Sequence, residues 1–225
     1  EIEAERLGET YRNLAESMSV SSLDMADAAI YFTRQGLGAQ EIEKRLKSTT
    51  MYAKTANIEF ERAAELITAV VNSMNLMDEE AEDGRTAAQS VADVFLKVGD
   101  NAATSGEEIG EAMQKAAASA GTFGVQFEWL AAYIATVSET TRQEARTIGT
   151  AFNTIIARLH QIKPTGYNSD DETKINDIAK ALANVDIALM DQSGEWRYMT
   201  DILEDVASKW GEMDDKTKSY IATTM

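Results

Sequence analysis

Phe60-Glu-Arg-Ala-Ala-Glu-Leu-Ile-Thr-Ala-Val-Val-Asn-Ser-Met74 is the stretch that decides the fold class. Phe60, Ala63, Ala64, Ile67, Val70, Val71 and Met74 recur at steps of three and four, which places them on one stripe of a helix. Farther along, Ile148, Phe152, Ile155, Leu159 and Ile162 alternate steps of four and three, the spacing of a helix-packing seam. Met199, Ile202, Leu203, Val206 and Trp210 form a third stripe, and in each case charged or small residues lie opposite.

Start and stop signals cut these patterns into short units. Ser105-Gly-Glu-Glu108 offers a Ser at the N-cap and a Glu three residues on, the reciprocal capping arrangement. Ser169-Asp-Asp-Glu172 repeats it after the linker Pro164-Thr-Gly166, and Ser21 with Asp24 is a shorter variant. Gly36, Gly38, Gly84 and Gly99 read as helix ends where a positive φ is wanted. A single Pro in the chain fits a mainly helical protein, and the reading is of about eight to ten helices covering about 60–75% of the residues.

Shifting the chain by 67 residues lays Phe60-Glu61 on Phe127-Glu128, with Ala64 on Ala131, Ile67 on Ile134 and Val70 on Val137. The same shift lays Glu41-Ile42 on Glu108-Ile109 and Ala53 on Ala120, and sets Ile58 against Val125. The matches fall largely on apolar stripes, so two readings stand: a repeated helical unit (about 22–74 and 90–141), or two ordinary sets of amphipathic helices. After Ala183 the period changes. Val185-Asp-Ile187-Ala-Leu189 alternates, Asp191-Gln-Ser-Gly194 supplies turn residues, and Trp196-Arg-Tyr198 alternates back.

The expected fold is therefore mainly all-α, a multi-helix bundle or repeated helical units, with one small β-hairpin near 185–198. Residues 1–163 are read as the helical region that holds the internal duplication. Residues 164–225 supply a helix, the hairpin and C-terminal helices. Because the chain opens on Glu1 and stops at Met225 within a helical pattern, it reads as a fragment of something longer.

Composition narrows the function. Hydrophobic residues make up 44% and charged residues 26%, enough apolar content for a folded core in 225 residues. Without Cys there are no disulfides, thiolate metal sites or cysteine nucleophiles. The longest nearly apolar run, Trp129 to Val137, is about half the roughly 20 residues of a membrane span, and no signal peptide is visible. With 21 basic against 38 acidic residues and a net charge of −17, direct nucleic acid binding by this segment is not expected.

Catalytic chemistry finds little footing. His160 is the only histidine and no Gly-x-Ser-x-Gly elbow accompanies it, so it reads as a helix-terminal residue. Asp78-Glu-Glu-Ala-Glu-Asp83 reads as a solvated helix end, since no calcium-loop pattern is present. The glycines match no phosphate loop. Trp129, Trp196 and Trp210 sit in amphipathic or hairpin patterns, where packing outweighs a sugar platform. No catalytic, cofactor-binding or metal residue is assigned, and no cofactor is expected.

Glu144-Ala-Arg-Thr-Ile-Gly-Thr-Ala-Phe-Asn-Thr-Ile-Ile-Ala-Arg-Leu159 resembles the signature of the core region of phage tail tape measure proteins. The likeness continues through Ile178-Ala-Lys-Ala-Leu-Ala-Asn-Val185, the hairpin from Ile187 to Arg197, Asp201-Ile-Leu203, Trp210 and Tyr220-Ile-Ala-Thr-Thr-Met225. Asp186 departs from it, standing where the family pattern has Gly. The resemblance implies a structural, non-enzymatic role in the tail lumen of a phage or prophage virion, after synthesis in the host cytoplasm. Tail assembly, tail length determination and genome delivery (DNA ejection) follow from it. So do partners: the tail tube protein, tail assembly chaperones and tail-tip proteins, with self-association left open. The competing readings are a helical bacterial signalling or scaffold module and a cell-wall hydrolase domain. Glycine interruptions weigh against the first, and the second would need a carboxylate or metal cleft.

Overall fold

A computed structural model describes residues 2–76, 85–102, 104–160 and 177–224. Among them run α1 (Ile2–Ser17), α2 (Ser22–Arg34), α3 (Ala39–Ala56), α4 (Phe60–Ser73), α5 (Ala87–Asn101) and α6 (Gly106–Thr122). They are followed by α7 (Phe127–Thr141), α8 (Ala145–His160), α9 (Asp177–Ala183), α10 (Met199–Trp210) and α11 (Asp215–Thr224). The protein is all-α: eleven helices and no strand are found among the described residues. The helix expected before the hairpin is α9, at seven residues.

Local signals start several helices where expected. Ser105 and Glu108 form the reciprocal capping box of α6, and the Ser21 side chain accepts from the Leu23 and Asp24 amides at the start of α2. The second Ser/Glu signal, the Pro164 linker, Gly84 and the Asp78–Asp83 run lie outside the described residues.

Helix α6 is the centre of the packing, set against α4, α5, α7 and α8. Its buried face is small: Gly110, Ala112, Ala116, Ala117 and Ala120, with Ile109 and Met113. Neighbouring helices send large side chains toward that face, and Leu66, Phe95, Leu130, Ile134 and Phe152 have no exposed surface or almost none. The same core takes in Ala181, Leu182, Ile187, Met199, Ile202, Val206 and Ile221 from the C-terminal elements. A smaller cluster joins Ala15, Met25, Ala28, Ala29, Phe32, Ile42, Leu46 and Ala64 beneath α1 and α2.

Two of the glycine assignments need correction. Gly38 is the N-cap of α3 with φ −75°, and Gly99 lies inside α5 rather than at its end. A Cβ on Gly99 would stand 2.8 Å from the Gly106 Cα, so this position serves the close crossing of α5 and α6. Sequence shows the glycine; only the crossing shows its use. Gly36 does take the positive φ expected of it, 84°.

Helices α3 and α6 begin at 39 and 106, and α4 and α7 at 60 and 127, each 67 residues apart. The residue after α3 and its counterpart are both left-handed, Asn57 at φ 55° and Gly124 at φ 66°. Ile42, Arg45, Leu46, Thr49, Thr50 and Ala53 are buried in α3, and so are Ile109, Ala112, Met113, Ala116, Ala117 and Ala120 in α6.

The hairpin near 185–198 is reduced to a single antiparallel bridge, Met190 with Trp196. Its backbone bonds are Asp191 N to Glu195 O at 2.8 Å and Arg197 N to Leu189 O at 3.1 Å. So short a pair gains little in water and leans on its neighbours. The Lys209 ammonium holds its entry, donating to the Val185 and Asp186 carbonyls at 2.7 and 2.9 Å. Asp186 there adopts φ 55°, the left-handed region that costs a side chain strain. Asp186→Gly is expected to raise stability by about 0.5–1 kcal/mol in urea titration; a destabilised variant would show that the strain is offset elsewhere.

Candidate functional site

Among the described residues a charged cluster crosses from α4 to α6. Arg62 pairs with Glu65 at 2.8 Å, with Glu107 at 3.6 Å and with Glu111, while Gln114 donates to Glu65 at 2.8 Å. Beneath it the buried Tyr52 hydroxyl donates to the Gly106 carbonyl at 2.9 Å, and burial pushes its pKa well above the ordinary tyrosine value. Arg62 and Glu111 are 49 residues apart in the chain, so no spacing rule marks them in advance. The cluster is a clasp between helices. Its Arg62 guanidinium is already held by carboxylates, and the Lys115 charge acts on Glu65 as well.

Acid loosens this clasp. The Glu65 carboxyl is held below its ordinary range, first by the Gln114 hydrogen bond and then by Arg62. Glu108 is held low as well, first by the Ser105 amide and then by the Thr104 hydroxyl. Carboxylates depressed in the folded state add stability above their unfolded pKa and lose it as pH falls through the folded one. The thermal midpoint is expected to fall as pH drops below the ordinary carboxylate range, and to fall less steeply in an E65Q/E108Q variant. Equal slopes in the two proteins would assign the acid sensitivity to other groups.

An apolar groove of about 300 Å3 opens beside the bridge, lined by Phe123, Leu189, Trp196, Tyr198, Met199 and Ile202 among others. Trp129 is packed instead: its ring stacks on Tyr133 at 5.4 Å, and its Nε1 donates to Glu204 at 3.4 Å. Trp196 and Trp210 are half-exposed at 36% and 37%. Sequence reading also passed over α2, whose Leu23 and Ile30 stand 70% and 48% exposed although their seven-residue spacing was legible.

His160 closes α8, and its side chain lies outside the described residues. Among the described residues no three His, Cys, Asp or Glu side chains gather as metal ligands. No helix among them is long and apolar enough to cross a membrane. The features on offer are therefore helix faces and grooves.

A family model described as phage-related minor tail protein matches residues 4–225. No solved structure matches the chain.

Proposed function

The chain belongs to the phage-related minor tail protein family, and from that premise we propose that it is the core region of a tail tape measure protein. A structural part in the phage tail, in association with other tail components, follows from the family itself. The finer reading places the segment in the tail lumen. There the parent chain is wrapped by assembly chaperones, meets the tube and tip proteins, sets the tail length and leaves at genome delivery. The role is structural, with no residue assigned to catalysis. The carrying observation is the Glu144–Leu159 signature, whose Gly149 and Phe152 form the contact face of α8 against α6 and α7.

We further propose that α2–α3–α4 and α5–α6–α7 are two copies of one duplicated unit, supported by the 67-residue offset between the starts of α3 and α6 and of α4 and α7, and by the matching buried positions of α3 and α6; α2 and α5 start 65 residues apart. The capped short helices and shared core argue that this region folds as a body and does not serve as the extended ruler. Even as one continuous helix, 225 residues would span only roughly 340 Å. Deleting residues 1–225 from the parent protein is expected to block or derange tail formation under electron microscopy. Uniform, functional tails shortened by roughly 340 Å would overturn this and make the segment a plain ruler.

A further inference from the structure

Helices α1 and α2 lie over α3 and α4 on a core of their own. Ala15, Met25, Ala28, Ala29 and Phe32 meet Ile42, Leu46 and Ala64 there, separate from the larger cluster around α6. The seat is imperfect. A cleft of about 360 Å3 runs between α2 and the end of α3, lined by Met25, Ala28, Thr50, Lys54 and Phe60 among others. Thr50 is 5% exposed, and its hydroxyl has no hydrogen-bond partner among the described residues. A buried hydroxyl left unpaired costs stability that an alanine would not. In α6 the place of Thr50, 67 residues on, is taken by Ala117, which is fully buried. The covering helices differ in the same sense. At Gly99 α5 approaches α6 too closely to admit a Cβ, whereas α2 carries the Phe32 ring 67 residues earlier. Lys54 of α3 reaches across to donate to the Met18 carbonyl, just beyond α1. The link from α2 to α3 runs through Gly36, at φ 84°, and Gly38, and a Cβ on either would meet nothing within 4 Å.

We propose that α1 and α2 form a flap that turns about Gly36 and Gly38 and opens as one unit while α3 to α8 stay folded, with Lys54 as its latch. Opening uncovers Ile42, Leu46 and Ala64, an apolar face of α3 and α4 that the closed protein hides. It draws only on the smaller core, so it needs less free energy than unfolding the helices around α6. The unpaired Thr50 hydroxyl lowers that requirement further, and the Lys54 hydrogen bond raises it.

Native-state hydrogen exchange of the 225-residue chain, followed by NMR at low urea, tests the flap without reference to tail assembly. Amides of α1 and α2 should exchange together, at least about a hundredfold faster than those of α6, and with a smaller urea dependence. Lys54→Met should speed exchange in α2 by about tenfold, and Thr50→Ala should slow it several-fold. Phe152→Leu weakens the main core and should speed exchange in α6 while leaving α2 unchanged. Because the chain has no Cys, a single introduced thiol reads the uncovering. Ala64→Cys should react with a thiol reagent at the rate of the α2 opening, and the fully buried Ala116→Cys at least about a hundredfold more slowly. Equal exchange in α2 and α6 would overturn the proposal, as would an α2 that follows the Phe152→Leu change, since α2 would then open only with the whole protein. An Ala64→Cys as slow as Ala116→Cys would overturn the uncovering of α4. Exchange in α2 indifferent to Lys54→Met would overturn the latch, and faster exchange in Thr50→Ala would overturn the imperfect seat.

Discussion

Gly149→Leu is expected to cost about 3 kcal/mol or more and to shift the urea midpoint strongly downward. Helix α8 crosses α6 so closely at this residue that a Cβ would stand 2.8 Å from the Ala112 carbonyl carbon and 2.9 Å from its Cα, with the carbonyl oxygen nearer still. These are backbone atoms in the middle of the central helix, so no rotamer change relieves the overlap and α8 must move away. Even Gly149→Ala should cost about 1–3 kcal/mol, despite alanine's better helix propensity. Gly8→Ala is the control: Gly8 lies in α1 with nothing within 4 Å of an added Cβ, and should gain about 0.5–1 kcal/mol. If Gly149→Ala also gains stability, the close crossing is not a constraint on the fold.

Phe152→Ala carries the second large effect. The Phe152 ring is fully buried, 4.9 Å from Tyr133 and 6.1 Å from Trp129 by ring centroids, and joins α7 to α8. Its removal leaves a cavity and deletes two aromatic pairs, at an expected cost of about 3–5 kcal/mol. The near-ultraviolet circular dichroism of the Trp129 and Tyr133 pair should collapse, while the far-ultraviolet helical signal survives below the new midpoint. A variant with an unaltered near-ultraviolet spectrum would show that the aromatic cluster is not fixed by Phe152.

The stripes at 60–74 and 199–210 were legible because a helix makes its own periodicity, and the Ser105 box was legible because both its partners lie within one turn. The hairpin signal was read from local alternation, yet it yields only one bridge, since turn residues alone do not supply a third strand to pair with. Trp210 belongs to the α10 stripe but stays 37% exposed, which the periodicity alone does not foretell.

By itself, then, the sequence determined the helical class, several helix starts, the apolar faces and the signature around Gly149. Each of these depends on residues a few positions apart, and their geometry is set by the backbone alone. Only the tertiary structure decided that Gly99 and Gly149 serve helix crossings and that Arg62 reaches Glu111. It also decided that the Met25 face of α2 is covered while the Leu23 face is not. These outcomes rest on which helices meet, a matter of pairing remote segments that no local period encodes.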